Sequence, residues 1–247
     1  MKIYKADLHI HTVLSPCGDL EMSPAKIVRV AKQMKLDVIG ITDHNSTRHC
    51  KLIQKLAASE GIFVLTGAEV TTKEEVHCLT FFETIELLDE FQHYLEKWLP
   101  SIKNKPNWFG YQVVVDQDEN IIDEEKYLLI SGINQSITEV RNKVADLNGI
   151  FIPAHVNRSH NGIFSQLGIM PAGLDPDAIE MDARSTRKDL LAMYPDQEIY
   201  TILKDSDSHQ LERIGAVCNQ FYMEKPSFNE VYKALHKVEG REVLKHD

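Results

Sequence analysis

Short apolar runs that close in histidine, aspartate or glutamate, separated by amphipathic stretches, constrain this chain more than any other feature. Lys2-Ile3-Tyr4-Lys5-Ala6 runs into Asp7-Leu8-His9-Ile10-His11-Thr12. The run at 36–41 ends in Thr42-Asp43-His44-Asn45, and Ile62-Phe63-Val64-Leu65 leads to Gly67-Ala68-Glu69. A strand at 76–82 carries His77, one at 149–154 stops at His155, and Ala178-Ile179-Glu180-Met181 is another. The run at 199–204 enters Asp205-Ser206-Asp207-Ser208-His209. Between these runs the spacing predicts helices. Ser23-Pro24 opens one, with Ile27, Val28, Val30, Ala31 and Met34 as its buried stripe. Others cover roughly 47–59 and 85–99. Capping-box patterns at Ser136-Ile137-Thr138-Glu139 and Ser227-Phe228-Asn229-Glu230 open two more. Strands alternating with helices imply parallel pairing through crossover helices. Strands that each finish in a ligand-type residue favour a closed barrel, whose chemistry gathers at the C-terminal strand ends.

One stretch breaks the rhythm. Around 100–132, Tyr111-Gln112-Val113-Val114-Val115, an acidic turn at 116–120 and Ile121-Ile122 predict a hairpin inserted at the rim. The 247 residues are therefore read as one barrel domain, 1–247, carrying this insertion. A net charge of −10 argues against a broad basic surface for long duplex nucleic acid, though not against a small phosphorylated substrate or a nucleic-acid end. Four cysteines (Cys17, Cys50, Cys78, Cys218) do not make a disulfide framework. No apolar run reaches membrane-span length, and early charge interrupts any signal-like N-terminus, so a cytoplasmic protein is expected.

Side chains at i and i+2 of an extended segment point the same way. His9 and His11 can therefore reach one ion, and Asp207 and His209 the same neighbourhood. Of eleven histidines, six (His9, His11, His44, His77, His155, His209) lie in or just after predicted strands, as do Glu69, Asp205 and Asp207. Imidazoles and carboxylates clustered at one mouth desolvate expensively without a cation, which points to metal. Arg48, Arg158 and Arg184 each lie just past a strand end, where a cationic fork for phosphate would sit. Arg213 reads instead as an anchor for the turn after His209. Trp108, Phe109 and Tyr111 on the insertion could stack on a base, or simply fasten the hairpin to the barrel.

Asp-Leu-His-x-His-Thr at 7–12, Ile-Thr-Asp-His-Asn at 41–45, Gly-Ala-Glu-Val at 67–70, Ala-His at 154–155 and Ser-Asp-Ser-His at 206–209 together resemble the PHP family, named for polymerase and histidinol phosphatase. The resemblance runs in order along nearly the whole chain. It implies a distorted seven-stranded, TIM-like (β/α)7 barrel holding two or three divalent metals (zinc, manganese or iron), and hydrolysis of phosphoesters. It assigns His9, His11, Glu69 and Asp207 to one metal, and His44 and His209 to a second together with a residue of the loop after the first strand. It assigns His77 and His155 to a third, bridged by Glu69. Asp19 is the choice in that loop, with Cys17, a softer ligand, as the alternative. Asp7, Asp43 and Asp205 read as groups that orient the ligand imidazoles. Neighbouring cations lower the pKa of a shared water toward neutrality, which supplies a hydroxide without a side-chain base. Glu69, Asp207, His209, Arg158 and Arg184 are then the expected catalytic groups. The rival readings are a C–N or C–O metallohydrolase on a similar barrel and a non-catalytic, metal-stabilised regulatory barrel.

Overall fold

The computed structural model describes residues 1–246. Strand β1 (Lys2–Ile10) is followed by α1 (Pro24–Gln33), β2 (Val38–Ile41), α2 (Cys50–Ala58), β3 (Phe63–Thr71), β4 (His77–Phe82) and α3 (Ile85–Trp98). Next come α4 (Pro106–Phe109), β5 (Val113–Val115), β6 (Ile121–Glu124), α5 (Ile137–Asp146), β7 (Ile150–Pro153) and α6 (Ile163–Leu167). The chain ends with β8 (Ile179–Glu180), α7 (Arg187–Met193), β9 (Ile202–Leu203), β10 (Asn219–Met223), α8 (Phe228–Leu235) and β11 (Glu242–Val243).

Helix starts follow the sequence signals. Ser23 caps α1 with Pro24 in the first turn, although Met34 closes that helix and lies exposed rather than buried. Ser136 and Glu139 form a complete capping box on α5. At α8 the box is only half made. Ser227 accepts from the Glu230 amide, but the Glu230 carboxylate is turned to the Glu224 N–H and to Arg241.

The main sheet has seven strands in the order β11-β10-β1-β2-β3-β4-β7. Strands β1, β2 and β3 are parallel, but β4 runs antiparallel to both β3 and β7. Strict alternation fails there because only residues 72–76 join β3 to β4, too few for a crossover helix. They make a tight turn instead, with Glu75 at φ 61° and its N–H donating to the Thr72 carbonyl. Gly67 permits the close pairing, since a Cβ there would run into the Thr80 carbonyl.

Hydrogen bonds carry the sheet round into a distorted barrel. Asp177 N–H donates to Phe151 and Val156 N–H to Glu180, which joins β8 to β7. Strand β9 pairs in parallel with β8. Ser208 N–H donates to the His9 carbonyl and His11 N–H to the Ser208 carbonyl, so the segment after β9 returns to β1. The C-terminal ends of β1, β2, β3, β7, β8 and β9 therefore share a rim with the first residue of the reversed β4, His77.

Two apolar cores hold this shape. One packs helices on the outer face of the strands, through residues such as Ile27, Ile39, Ile53, Phe91 and Val140. The other joins the strands themselves, through Leu8, Leu65, Leu79, Phe81, Ile152 and Leu203. By two-residue periodicity Leu65 and Glu69 share a face of β3, and Leu79 and His77 a face of β4. The inner core thus forms the floor beneath the rim. In β1 three steps, from Asp7 to Ile10, match two steps of β2. That bulge lets Leu8 join the floor while the next residue, His9, still reaches the rim.

Candidate metal centre

Glu69 is the hub of the rim. Its Oε1 lies 2.9 Å from His77 Nδ1, 3.1 Å from His155 Nε2 and 3.3 Å from His9 Nε2. Its Oε2 lies 3.1 Å from His44 Nδ1 and 3.4 Å from His11 Nε2. Asp207 Oδ1 sits 3.3 Å and 3.4 Å from the Nε2 atoms of His9 and His11, and 3.6 Å from His209 Nδ1. One donor atom from each member comes within 4.8 Å of the others in three groups: His9, His11 and Glu69; His11, His44 and His209; and His44, Glu69 and His77. The first expected set is therefore gathered. The second forms around His11 rather than a loop residue. In the third, His77 groups with His44, while His155 reaches Glu69 alone.

Protonation follows from burial and charge. Burial opposes ionisation of Glu69, but His77, His9 and His44 more than offset it and hold the carboxyl well below its usual range. Asp207 is also held well down, against burial, chiefly by His9. Burial pushes His44 well below the ordinary imidazole value, lowers His155, and takes His209 to about 4. His9 goes the other way: against burial, Glu180, Asp207 and Glu69 raise it well above its ordinary value. Around neutral pH, with no cation bound, the rim thus combines ionised carboxylates and neutral imidazoles at His44, His155 and His209 with a protonated His9. The Nε2 atoms of His9 and His11 face each other at 3.1 Å, and the buried Nδ1 of His44 has no hydrogen-bond partner although Glu69 is beside it. Crowded imidazoles and carboxylates, a proton held between them by charge alone and an orphaned buried nitrogen are what a divalent cation would satisfy, so the donor set fits such ions.

Neighbouring groups fix which nitrogen each ring offers. His9 Nδ1–H donates to Glu180 at 3.0 Å, which leaves Nε2 free. His11 Nδ1 meets Ser15 Oγ at 3.0 Å, and that hydroxyl donates to Asp43 at 2.7 Å. His209 Nδ1–H donates to the Asp207 carbonyl at 3.0 Å. The backbone at His155 (φ 29°) and Asp207 (φ 49°) is left-handed, a strained conformation held by its surroundings.

Several expectations need correction. Asp7 and Asp205 touch no rim imidazole, whereas Asp43 does act on the His11 ring, through Ser15. Asp7 accepts from Ser206 and the Gly215 N–H, Asp205 from the Leu8 N–H and Asn219, and Asp43 from Thr12 and Ser15. They hold the backbone that carries the rings. Glu180, which holds His9 directly, was missed, although its strand-end position matched that of the other acids. Asp19 is exposed and stands outside the three groups; its carboxylate accepts from the Glu21 N–H. Cys17 is also exposed and outside them.

The arginines are redistributed too. Arg158 donates to Asp207 at 2.7 Å and to Asp182 at 2.8 Å, so it braces a rim carboxylate and offers no free fork. The Arg184 side chain is 82% exposed and lies on Asp182, without contact to the cluster. Arg48 is committed to Asp123 and Glu125 on the hairpin. Arg213 sits in the turn after His209, its backbone N–H donating to the Gln210 carbonyl, and also lines a cavity of about 290 Å³ with Cys17, Gly18, Asp19, Asp207, His209 and Gln210. Among the described residues it has no ion-pair partner.

A curled barrel with carboxylates and imidazoles crowded at one rim defines a candidate metalloprotein. The chain belongs to the PHP domain family, whose family model matches residues 7–237. It is similar to the uncharacterized protein YqxK of Bacillus subtilis, 24% identical over 275 aligned positions, covering 98% of this chain and 64% of that one. Among solved structures it resembles the lesion-specific endonuclease PfuEndoQ of Pyrococcus furiosus, with a TM-score of 0.76 and 20% identity over 98% of this chain and 58% of that one. An Endonuclease Q complex with a 27-mer duplex carrying an abasic lesion at its active site gives a TM-score of 0.75 at 20% identity, with coverage of 98% and 58%. A putative metal-dependent phosphoesterase of Bifidobacterium adolescentis gives 0.60 at 16% identity, covering 83% of this chain and 87% of that one. At such identities the structural likeness speaks to the fold. The chain spans about three fifths of the length of YqxK and PfuEndoQ. No helix among the described residues is long and apolar enough to cross a membrane.

Proposed function

We propose that this chain is a metal-dependent hydrolase of phosphoesters that acts at the Glu69 rim. The reading takes residues 1–247 as one catalytic unit, with the segment at about 100–132 inserted into it. The observation that carries it is the Glu69 carboxylate, 1% exposed and approached within 3.4 Å by His9, His11, His44, His77 and His155. His9, His11, Glu69, Asp207, His44 and His209 would hold two divalent ions, and His77 with His155 a third; zinc, manganese and iron all suit these nitrogen and oxygen donors. Such ions, when bound, supply Lewis acidity toward phosphoryl oxygens and acidify nearby water.

The side chains prepare that chemistry. Glu180 and Ser15 keep the protons of His9 and His11 on Nδ1, so both Nε2 atoms point at the centre. Arg158 fixes Asp207 from behind. Arg213 presents an uncommitted guanidinium at the cavity beside Asp207 and His209, placed to take a non-bridging phosphoryl oxygen. A fixed cation of this kind suits a phosphoester better than an uncharged amide. Family membership and the likeness in fold to a phosphoesterase and an endonuclease support the same class. Substrates would be small phosphate esters or nucleic-acid ends.

The test loads chelator-stripped protein with Zn²⁺, Mn²⁺ or Fe²⁺ and assays an aryl phosphate, a bis-aryl phosphodiester, a short oligonucleotide and amide controls. Metal-dependent turnover of at least one phosphoester is expected. Turnover confined to the amides, or none with any metal, overturns the proposal.

A further inference from the structure

The insertion between α3 and α5 leaves a band of rings in water. Trp108 is 80% exposed, and Phe109, Tyr111 and Tyr127 are exposed as well. The arm bearing them is firmly seated. Val113 and Val115 bury against Val13, and Val114 against Leu14 and Leu129. Val115 N–H donates to His49 Nε2 at 3.0 Å, so the His49 proton lies on Nδ1, 2.6 Å from Thr12 Oγ1, which in turn donates to Asp43 at 2.8 Å. Burial lowers the His49 pKa and keeps the ring neutral for this relay. Gly110, at φ 100°, lies so close to Pro16 that a Cβ would meet the Pro16 carbonyl oxygen. The end of α4 therefore abuts the loop that joins β1 to the rim cavity. Rings with no structural task on a rigid arm beside an active site call for a ligand.

Charge narrows the choice. Lys103, Lys105 and Lys126 are exposed and make no ion pair among the described residues. Lys105 Nζ stands 5.4 Å from the Trp108 ring centroid, and Lys103 faces Tyr127 across an antiparallel bridge. Glu124 and Glu125 lie nearby, but Glu125 is held by Arg48. The acidic turn of the hairpin lies away from them, with Glu119 against Ser23 and Lys26, so on a chain of net charge −10 three unpaired lysines stand interleaved with aromatic faces. An apolar protein partner has no use for the lysines, and a bare phosphate none for the rings. A ligand carrying both phosphates and π faces matches, provided the faces are not already stacked in a duplex.

We propose that the insertion is a binding platform for single-stranded nucleic acid. Unpaired bases stack on Trp108 and its neighbouring rings, the lysines meet the backbone phosphates, and the strand end is led past Pro16 to the Glu69 rim. What happens at that rim rests on the phosphoesterase reading; the binding does not.

Binding is measured with chelator present, as the fluorescence anisotropy of a labelled 12-nucleotide oligo(dT), against the same label on a 12-base-pair duplex. The single strand is expected to bind more tightly than the duplex. Trp108→Ala should weaken it by about tenfold or more, and Trp108→Phe should restore most of the affinity. Lys105→Ala and Lys126→Ala should each weaken binding and flatten its salt dependence by about one charge. In loaded enzyme, Trp108→Ala should leave turnover of a small aryl phosphate unchanged. Equal binding of duplex and single strand, or full affinity in Trp108→Ala, overturns the platform. Because the titration needs no metal, a failure of phosphoester turnover would count only against the preceding reading.

Discussion

The two ends of the barrel make an instructive pair. At the far end, below β7 and β8, lies a cavity of about 470 Å³ lined by Glu83, Arg141, Asn148, Asp177, Asn229 and Tyr232. The cavity beside His209 is smaller, about 290 Å³. Yet the larger one is chemically quiet. Arg141 donates to the Asp175 carbonyl at 3.1 Å, and Asp177 accepts from the Phe151 N–H at 2.7 Å and meets His236 at 2.8 Å. Arg141 and Asp177 already have partners inside the fold. At the rim, imidazole nitrogens face one another, His44 Nδ1 is orphaned, and His155 and Asp207 hold strained backbone. Unmet donors and stored strain, rather than volume, mark where chemistry happens.

That contrast can be broken by experiment. The largest effect is expected from Glu69→Gln, which removes the shared carboxylate. Turnover should fall by about 10³-fold or more, and bound metal should drop in elemental analysis of purified protein. A variant that keeps both would remove the hub from the scheme. Stripping metal from the parent should lower Tm by roughly 10 °C in a calorimetric scan, as expected for loss of a tight ligand. Glu180→Ala should weaken metal binding by about 10- to 100-fold in chelator competition, because His9 loses the partner that fixes its tautomer. Arg213→Ala should raise KM for a phosphoester by about tenfold with kcat little changed. The smallest effects are expected from Arg141→Ala, at the quiet end, and from Arg184→Ala. Each should alter kcat/KM by less than about twofold, and a large loss in either would mean that the two ends are coupled.

Much of the rim could be read before the fold was known. The i, i+2 spacing of His9 and His11 and of Asp207 and His209 relies only on strand geometry, and both pairs do converge. His77 carried a further signal that was not used. It opens its apolar run whereas the other histidines close theirs, and only a reversed strand brings it to the same rim. The acids beside the rim histidines misled for a related reason. Asp7 and Asp205 look like ring partners in one dimension, but backbone amides about two hundred residues away claim them. Arginine placement was the least legible. Arg158, Arg184 and Arg213 follow strand ends alike, and only the positions of Asp182 and Asp207 decide which is committed and which is free.

The seam between His9, His11 and Ser208 has a consequence for how the protein matures. His9 and His11 are synthesised nearly two hundred residues before Asp207 and His209. Until that late segment docks, neither the carboxylate nor the imidazole it contributes is available to a cation. Closure of the rim therefore waits on the docking of that segment against β1.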